Sequence, residues 1–203
     1  MPKLLLLLRR SAVVAVAVLI AACAGAPASF DPASACTTDG HVAGAYPQLE
    51  ALVPASLGGR APDRLDSGRS CTDAALATLK SRGVRELRFA GGLWEQGSRS
   101  GTTLVVFDSP TSLDAAWLAE FYEAGARAGK NTDAITAAPL TVAGSSGRRL
   151  DTLNDESYQT VVVWPRAGRV VAALVASSVR EVASRAEHEA RVTAALDAFD
   201  APP

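Results

Sequence analysis

Apolar residues recur along this chain in two rhythms, one of three to four residues and one of two, and the points where one gives way to the other mark out its elements. The last stretch is the clearest. Val182, Ala186, Val192, Ala195, Leu196 and Phe199 fall on one side of a helix over about 179–200, with Arg180, Glu181, Arg185, Glu187 and Arg191 on the other. Upstream, Leu113, Trp117, Phe121 and Ala124 predict a second long helix, opened by Ser109-Pro110 and ended in the glycine-bearing stretch 125–136. Two short helices precede it. Leu49, Leu52 and Val53 carry the first as far as Pro54; Ala75, Leu76 and Leu79 carry the second, which Thr72 caps and Gly83 stops.

The two-residue rhythm appears over 84–94, where Leu87 and Phe89 alternate, and in the β-branched run 102–107; the polar loop Gly97–Gly101 joins the two as a hairpin. A second hairpin pairs 159–164 with 169–177 around Pro165–Gly168, after an extended segment over 140–153. The unbroken run Val161–Trp164 predicts a strand buried on both faces. The order helix, strand pair, helix, three strands, helix predicts one α+β domain, an antiparallel sheet with helices packed on it. A loose echo, strand–strand–helix, runs over 84–128 and again over 157–200.

The first residues follow neither rhythm. Lys3, Arg9 and Arg10 supply positive charge, and the apolar stretch from Ala12 to Ala22 is eleven residues long, short of the ~20 that cross a bilayer. This is the layout of an export signal. Leu19-Ile20-Ala21-Ala22-Cys23 resembles the lipobox of bacterial lipoproteins, a branched apolar residue and two small ones before a cysteine. The resemblance covers the leader alone. It implies cleavage between Ala22 and Cys23, a diacylglycerol on the Cys23 thiol, and attachment to the lipid bilayer on the extracytoplasmic face of the cell membrane, or to the outer membrane in a Gram-negative host. The alternative is an ordinary secretory signal cut after Ala28, which would discard Cys23.

Three cysteines are an odd number for an exported chain, since an unpaired thiol pairs between chains or reacts. With Cys23 acylated, Cys36 and Cys71 remain and are expected to form a disulfide, the alternative being two unpaired buried thiols. The chain then divides into a signal peptide over 1–22, a lipidated flexible tether over 23–35 and an extracytoplasmic domain over 36–203. The small, proline-bearing residues Ala24–Ala35 give the tether nothing to bury.

Composition narrows the function. Without residues 1–22, which hold three basic residues and no acid, 17 basic and 21 acidic side chains remain, a formal balance of −4. No cluster of Lys or Arg offers the footprint that nucleic acid requires. Motifs for serine hydrolysis, phosphate cradling, dinucleotide binding and zinc proteolysis are absent. His188, between Glu187 and Glu189, reads as part of a solvated helix face, and His41 as a loop residue near Asp39. Asp151, Asp155 and Glu156 surround Asn154 in what reads as a turn, with cation binding as the other possibility. Trp117 and Trp164 belong to core stripes; Trp94, after Gly91-Gly92 and beside a loop, is the candidate to line a ligand cleft or partner surface. Strand order and leader together loosely resemble small uncharacterised exported lipoproteins of actinobacteria. The expectation is a non-enzymatic module with no cofactor that binds an envelope protein or an apolar ligand. A hydrolase with an unrecognised site, or a structural envelope accessory, is the alternative.

Overall fold

Runs such as Thr102–Phe107 and Thr160–Trp164 lose little side-chain freedom in extended backbone and bury well on a pleat, so strands dominate the molecule. A computed structural model describes residues 30–129, 132, 134–154 and 156–200. In chain order the elements are β1 (Gly40–Val42), α1 (Pro47–Glu50), β2 (Arg64–Ser70), α2 (Asp73–Leu76), α3 (Thr78–Ser81), β3 (Leu87–Glu95), β4 (Gly101–Asp108) and α4 (Ala115–Ala128). There follow β5 (Ala134–Val142), β6 (Ser145–Leu153), β7 (Ser157–Arg166), β8 (Arg169–Ser178) and α5 (Arg185–Asp200).

All eight strands of the described residues form one antiparallel sheet in the order β1-β2-β3-β4-β8-β7-β6-β5, which bears out the α+β reading. Two four-strand meanders meet at a single ladder, Gly101↔Ala176 to Phe107↔Val170. Each meander is followed by a long helix, so the echo over 84–128 and 157–200 is the visible part of a longer one, four strands and a helix twice. It is not a rotational repeat, because α4 packs on one face of the sheet and α5 on the other. Alternation along each strand separates two cores. Leu104, Val106, Val162, Trp164, Val171 and Ala173 lie under α1 and α5; Val105, Phe107, Val161, Val163, Val170 and Ala172 lie under α3 and α4.

Several boundaries differ from those the sequence suggests. The polar stretch before Cys71 is strand β2, and the end of the glycine-bearing segment is the start of β5; both strands are largely polar or small, with weak alternation. The helix after Thr72 is broken at Ala77, whose φ of 43° leaves two single turns. Helix α4 begins at Asp114, whose carboxylate accepts from Ala116 N–H, and not at Ser109-Pro110, where Ser109 instead forms a local turn with Thr111. Its buried stripe is Leu118 and Tyr122, one residue on from Trp117 and Phe121. Helix α5 begins six residues later than its apolar pattern suggests, at the box Ser184-x-x-Glu187: Glu187 N–H donates to Ser184 Oγ and the Glu187 carboxylate accepts from Ala183 N–H.

Residues 30–35, read from the sequence as tether, are held against the sheet. The Arg69 guanidinium, 3% exposed, donates to the backbone oxygens of Asp31, Pro32, Ser34 and Ala35 and to Ser34 Oγ at 2.7–3.3 Å. It also lies over the Phe30 ring, 5.5 Å from its centroid. Cys36 and Cys71 are bridged, with Cα atoms 5.4 Å apart, so the disulfide and the arginine fasten the same segment.

Candidate functional site

Polar side chains interrupt the α5-facing core at one end. Facing positions of β6, β7 and β8 carry Arg149 and Asp151, Tyr158 and Thr160, and Ser177, while further along the same rows are Val162, Trp164, Val175 and Ala173. Above the polar end, α5 presents His188, first in the buried stripe His188, Val192, Ala195, Phe199. His188 is 2% exposed, Thr160 1% and Ser177 0%. This overturns the reading of His188 as solvated. Its spacing to Val192 is four residues, which places it on the apolar stripe, and the acidic neighbours on either side had disguised it.

The hydrogen bonds determine where the protons lie. Thr160 Oγ1 is 2.6 Å from Asp151 Oδ1, and a carboxylate can only accept, so the hydroxyl hydrogen belongs to that bond. Its oxygen, 2.8 Å from His188 Nε2, is left to accept from an Nε2–H. Nδ1 then carries the lone pair and accepts from the Ser177 hydroxyl at 2.9 Å. The chain continues outward. Arg149 donates to both Asp151 oxygens at 2.8 Å and to the Glu189 carboxylate at 2.8 Å, and Arg185 stands 3.5 Å from Glu189.

Charges in the cluster are tuned accordingly. Burial lowers the His188 pKa and keeps the ring neutral; Glu189 and Asp151 oppose that shift, and Arg149 and Arg185 reinforce it. Burial alone would raise the Asp151 carboxyl, but the bonds from Arg149 and Thr160 outweigh it and hold it below its ordinary value. Arg149 is raised, first by its bond to Asp151. Chemically, a serine hydroxyl donating to a neutral imidazole is the ground-state arrangement of a nucleophile and its base. Here both groups are sealed beneath α5.

The remaining expected sites fall elsewhere. Trp94 does not line a surface: it is 1% exposed, its Nε1 donates to Arg60 O at 2.8 Å, and its ring lies over Gly92, where a Cβ would stand 2.8 Å from it. The glycine before it is thus a seat for the indole. The loop over 97–101 is tied to the segment before α5, as Glu181 accepts from Ser98 N–H, Arg99 N–H and the Ser98 and Ser100 hydroxyls, which lower its pKa, Ser100 most of all. Asp151 and Glu156 do not converge, since Glu156 pairs with Arg99 at 2.9 Å; Asp155 lies outside the described residues. His41 pairs with Asp66 at 3.2 Å, not with Asp39, whose carboxylate accepts from Cys71 N–H, Thr72 N–H and Thr72 Oγ1. A cavity of about 10 Å³ between α4 and β6–β7, partly lined by Tyr122, Glu123 and Arg149, has room for one water.

Among the described residues no three His, Cys, Asp or Glu side chains are grouped to hold a metal, and no helix is long and apolar enough to cross a membrane. Cys23 lies outside the described residues. Comparison with protein-family models and with curated proteins finds no match to this chain.

Proposed function

We propose that the chain is an exported lipoprotein, acylated on Cys23, whose disulfide-tied α+β domain serves outside the membrane as a non-enzymatic module binding an envelope protein or an apolar ligand. The observation that carries the reading is the segment Leu19-Ile20-Ala21-Ala22-Cys23 behind a charged and apolar leader. The Cys36–Cys71 bridge supports it in two ways. A bridge suits an oxidising compartment, and it leaves Cys23 as the odd cysteine, free to carry lipid. Acylation contributes about 0.8 kcal/mol per buried methylene, and two or more chains make anchoring stable.

The test is direct. In cells fed a clickable fatty acid, the wild-type chain takes up label and is processed at Cys23, whereas Cys23→Ser leaves an unlabelled, uncut precursor. Label that persists on Cys23→Ser overturns the reading.

A second reading, a hydrolase, has one observation in its favour, the Ser177 hydroxyl on His188 Nδ1. Burial of both residues argues for a structural role, because no substrate carbonyl reaches a hydroxyl that is 0% exposed. A fluorophosphonate probe is therefore expected to leave Ser177 unmodified in the folded protein. Stoichiometric modification that His188→Gln abolishes would favour the hydrolase.

A further inference from the structure

The polar end of the α5 seat is placed where a proton would act. We infer that His188 makes the docking of α5 acid-sensitive: uptake of a proton by the buried imidazole loosens the first turns of α5 from β6, β7 and β8. In the neutral ring both nitrogens are satisfied, Nε2–H by Thr160 Oγ1 and Nδ1 by the Ser177 hydroxyl. A second ring proton, on Nδ1, would reverse that bond: the Ser177 oxygen would have to accept, and its own hydrogen, in a wholly buried side chain, would lose the acceptor it has in the neutral state.

Among the described residues that face the seat, no charge is spare to neutralise the imidazolium. From β6 the seat is faced by Asp151 and Arg149, which are paired; from β7 by Tyr158, whose ring centroid is 5.7 Å away, and Thr160; from β8 by Ser177. From α5 itself come Glu189, held by Arg149 and Arg185, and the pair Glu187–Arg191. Around the ring the charges of Asp151 and Glu189 are opposed by those of Arg149 and Arg185, so a new positive charge enters a balanced, buried site.

The sign follows from linkage. The imidazole of an unfolded or undocked segment takes its proton near the ordinary value of 6.5, whereas the docked ring, whose pKa burial lowers, takes it only at lower pH. Above that interval His188 contributes no pH dependence. Within it, each pH unit favours the open form by up to about tenfold, and below the docked value the loss is complete.

The experiment is amide hydrogen exchange on the full chain in detergent micelles, from about pH 7.5 to about pH 5, corrected for intrinsic exchange, in the wild type and His188→Gln. Opening of 185–195 in the wild type should rise by up to about tenfold per unit while 87–108 stays protected, and the rise should vanish in His188→Gln. Both chains contain His41 and the same carboxylates, so whatever those groups contribute is common to both and drops out of the comparison. An α5 that stays closed in the wild type, or opens equally in both, overturns the inference. If His188→Gln fails to fold, ring nitrogen shifts of the wild-type protein decide: His188 must be the neutral Nε2–H form at about pH 7.5 and gain its proton as the α5 amides lose protection. A ring already charged there, or one that titrates without any change in α5, is the contrary result.

Discussion

Gly92 and Arg69 show how single residues set this structure. A Cβ at Gly92 would stand 2.8 and 2.9 Å from Trp94 ring atoms and 3.1 Å from Val53 Cγ1. Gly92→Ala should therefore cost about 1–3 kcal/mol through overpacking, read as a lower denaturant midpoint with unchanged slope. Arg69 holds five oxygens with a planar fork that an ammonium cannot reproduce. Arg69→Lys should lose about 2–3 kcal/mol and open the 30–36 segment to limited proteolysis, while cleavage elsewhere stays unchanged. Asp39 gives an acid limit. Burial raises its carboxyl, but the bonds from Cys71 and Thr72 outweigh this and hold its pKa below the ordinary 3.8. Its contribution is fully present above that value and is lost as pH falls through the folded one; Asp39→Asn should flatten the acid limb of a stability-against-pH curve.

Among the elements, β5 is an outer strand of nine residues without a charge, which on other grounds would invite another chain to pair with it. Its turn explains why that edge is blunted. Ala143 and Gly144, with φ of 47° and 78°, form a two-residue hairpin, so Val142 and Ser145 exchange hydrogen bonds, as do alternate pairs back along the ladder. Pro139 falls on the intervening set, whose N–H groups face outward, and so its missing N–H costs nothing towards β6 and removes a donor from the free edge. Pro139→Val should leave the monomer folded but promote concentration-dependent self-association, visible by sedimentation velocity; a variant that sediments like wild type at every concentration would show that the proline does not protect the edge. The Cys36–Cys71 bridge works at the same scale, holding the chain before β1 to the end of β2. Its reduction should lower the thermal midpoint by about 8–16 °C, from roughly 4 kcal/mol of loop entropy in a domain of this size.

For the molecule as a whole, the decisive feature is that each four-strand meander depends on the other. Helix α4 belongs to the first in sequence but packs on β6 and β7 of the second, and β4 and β8 share the central ladder. A fragment ending near residue 129 would expose the β4 edge and leave α4 without its seat. Expressed alone, residues 30–129 should lack near-ultraviolet dichroism and a cooperative transition, whereas the full chain unfolds in one step. Two separate transitions in the full chain would show that the meanders are independent units.

What the sequence determines by itself is local. The two hairpins β3–β4 and β7–β8, the Thr72 cap and the two-faced burial of Val161–Trp164 are all written in adjacent residues, because caps, turns and alternation act over a few positions. The Cys36–Cys71 pairing was also within reach, because an acylated Cys23, as proposed, would leave only those two cysteines. Other features needed partners distant in sequence. Strands β1, β2 and most of β5 are largely polar or small, with weak alternation, and a neighbouring strand supplies the ladder that fixes them. Ser184-x-x-Glu187 and the four-residue spacing of His188 to Val192 were visible signals of where α5 starts and which face it buries, outweighed by the apolar pattern upstream and by the flanking glutamates. Residues 30–35 had no such signal, since small residues read as tether until Arg69, some 35 positions on, is brought beside their carbonyls. Only tertiary structure could bring His188, Thr160, Ser177, Asp151 and Arg149 together, because a buried polar cluster requires mutual satisfaction among groups from four elements, and that is a property of the packed sheet and helix rather than of any segment.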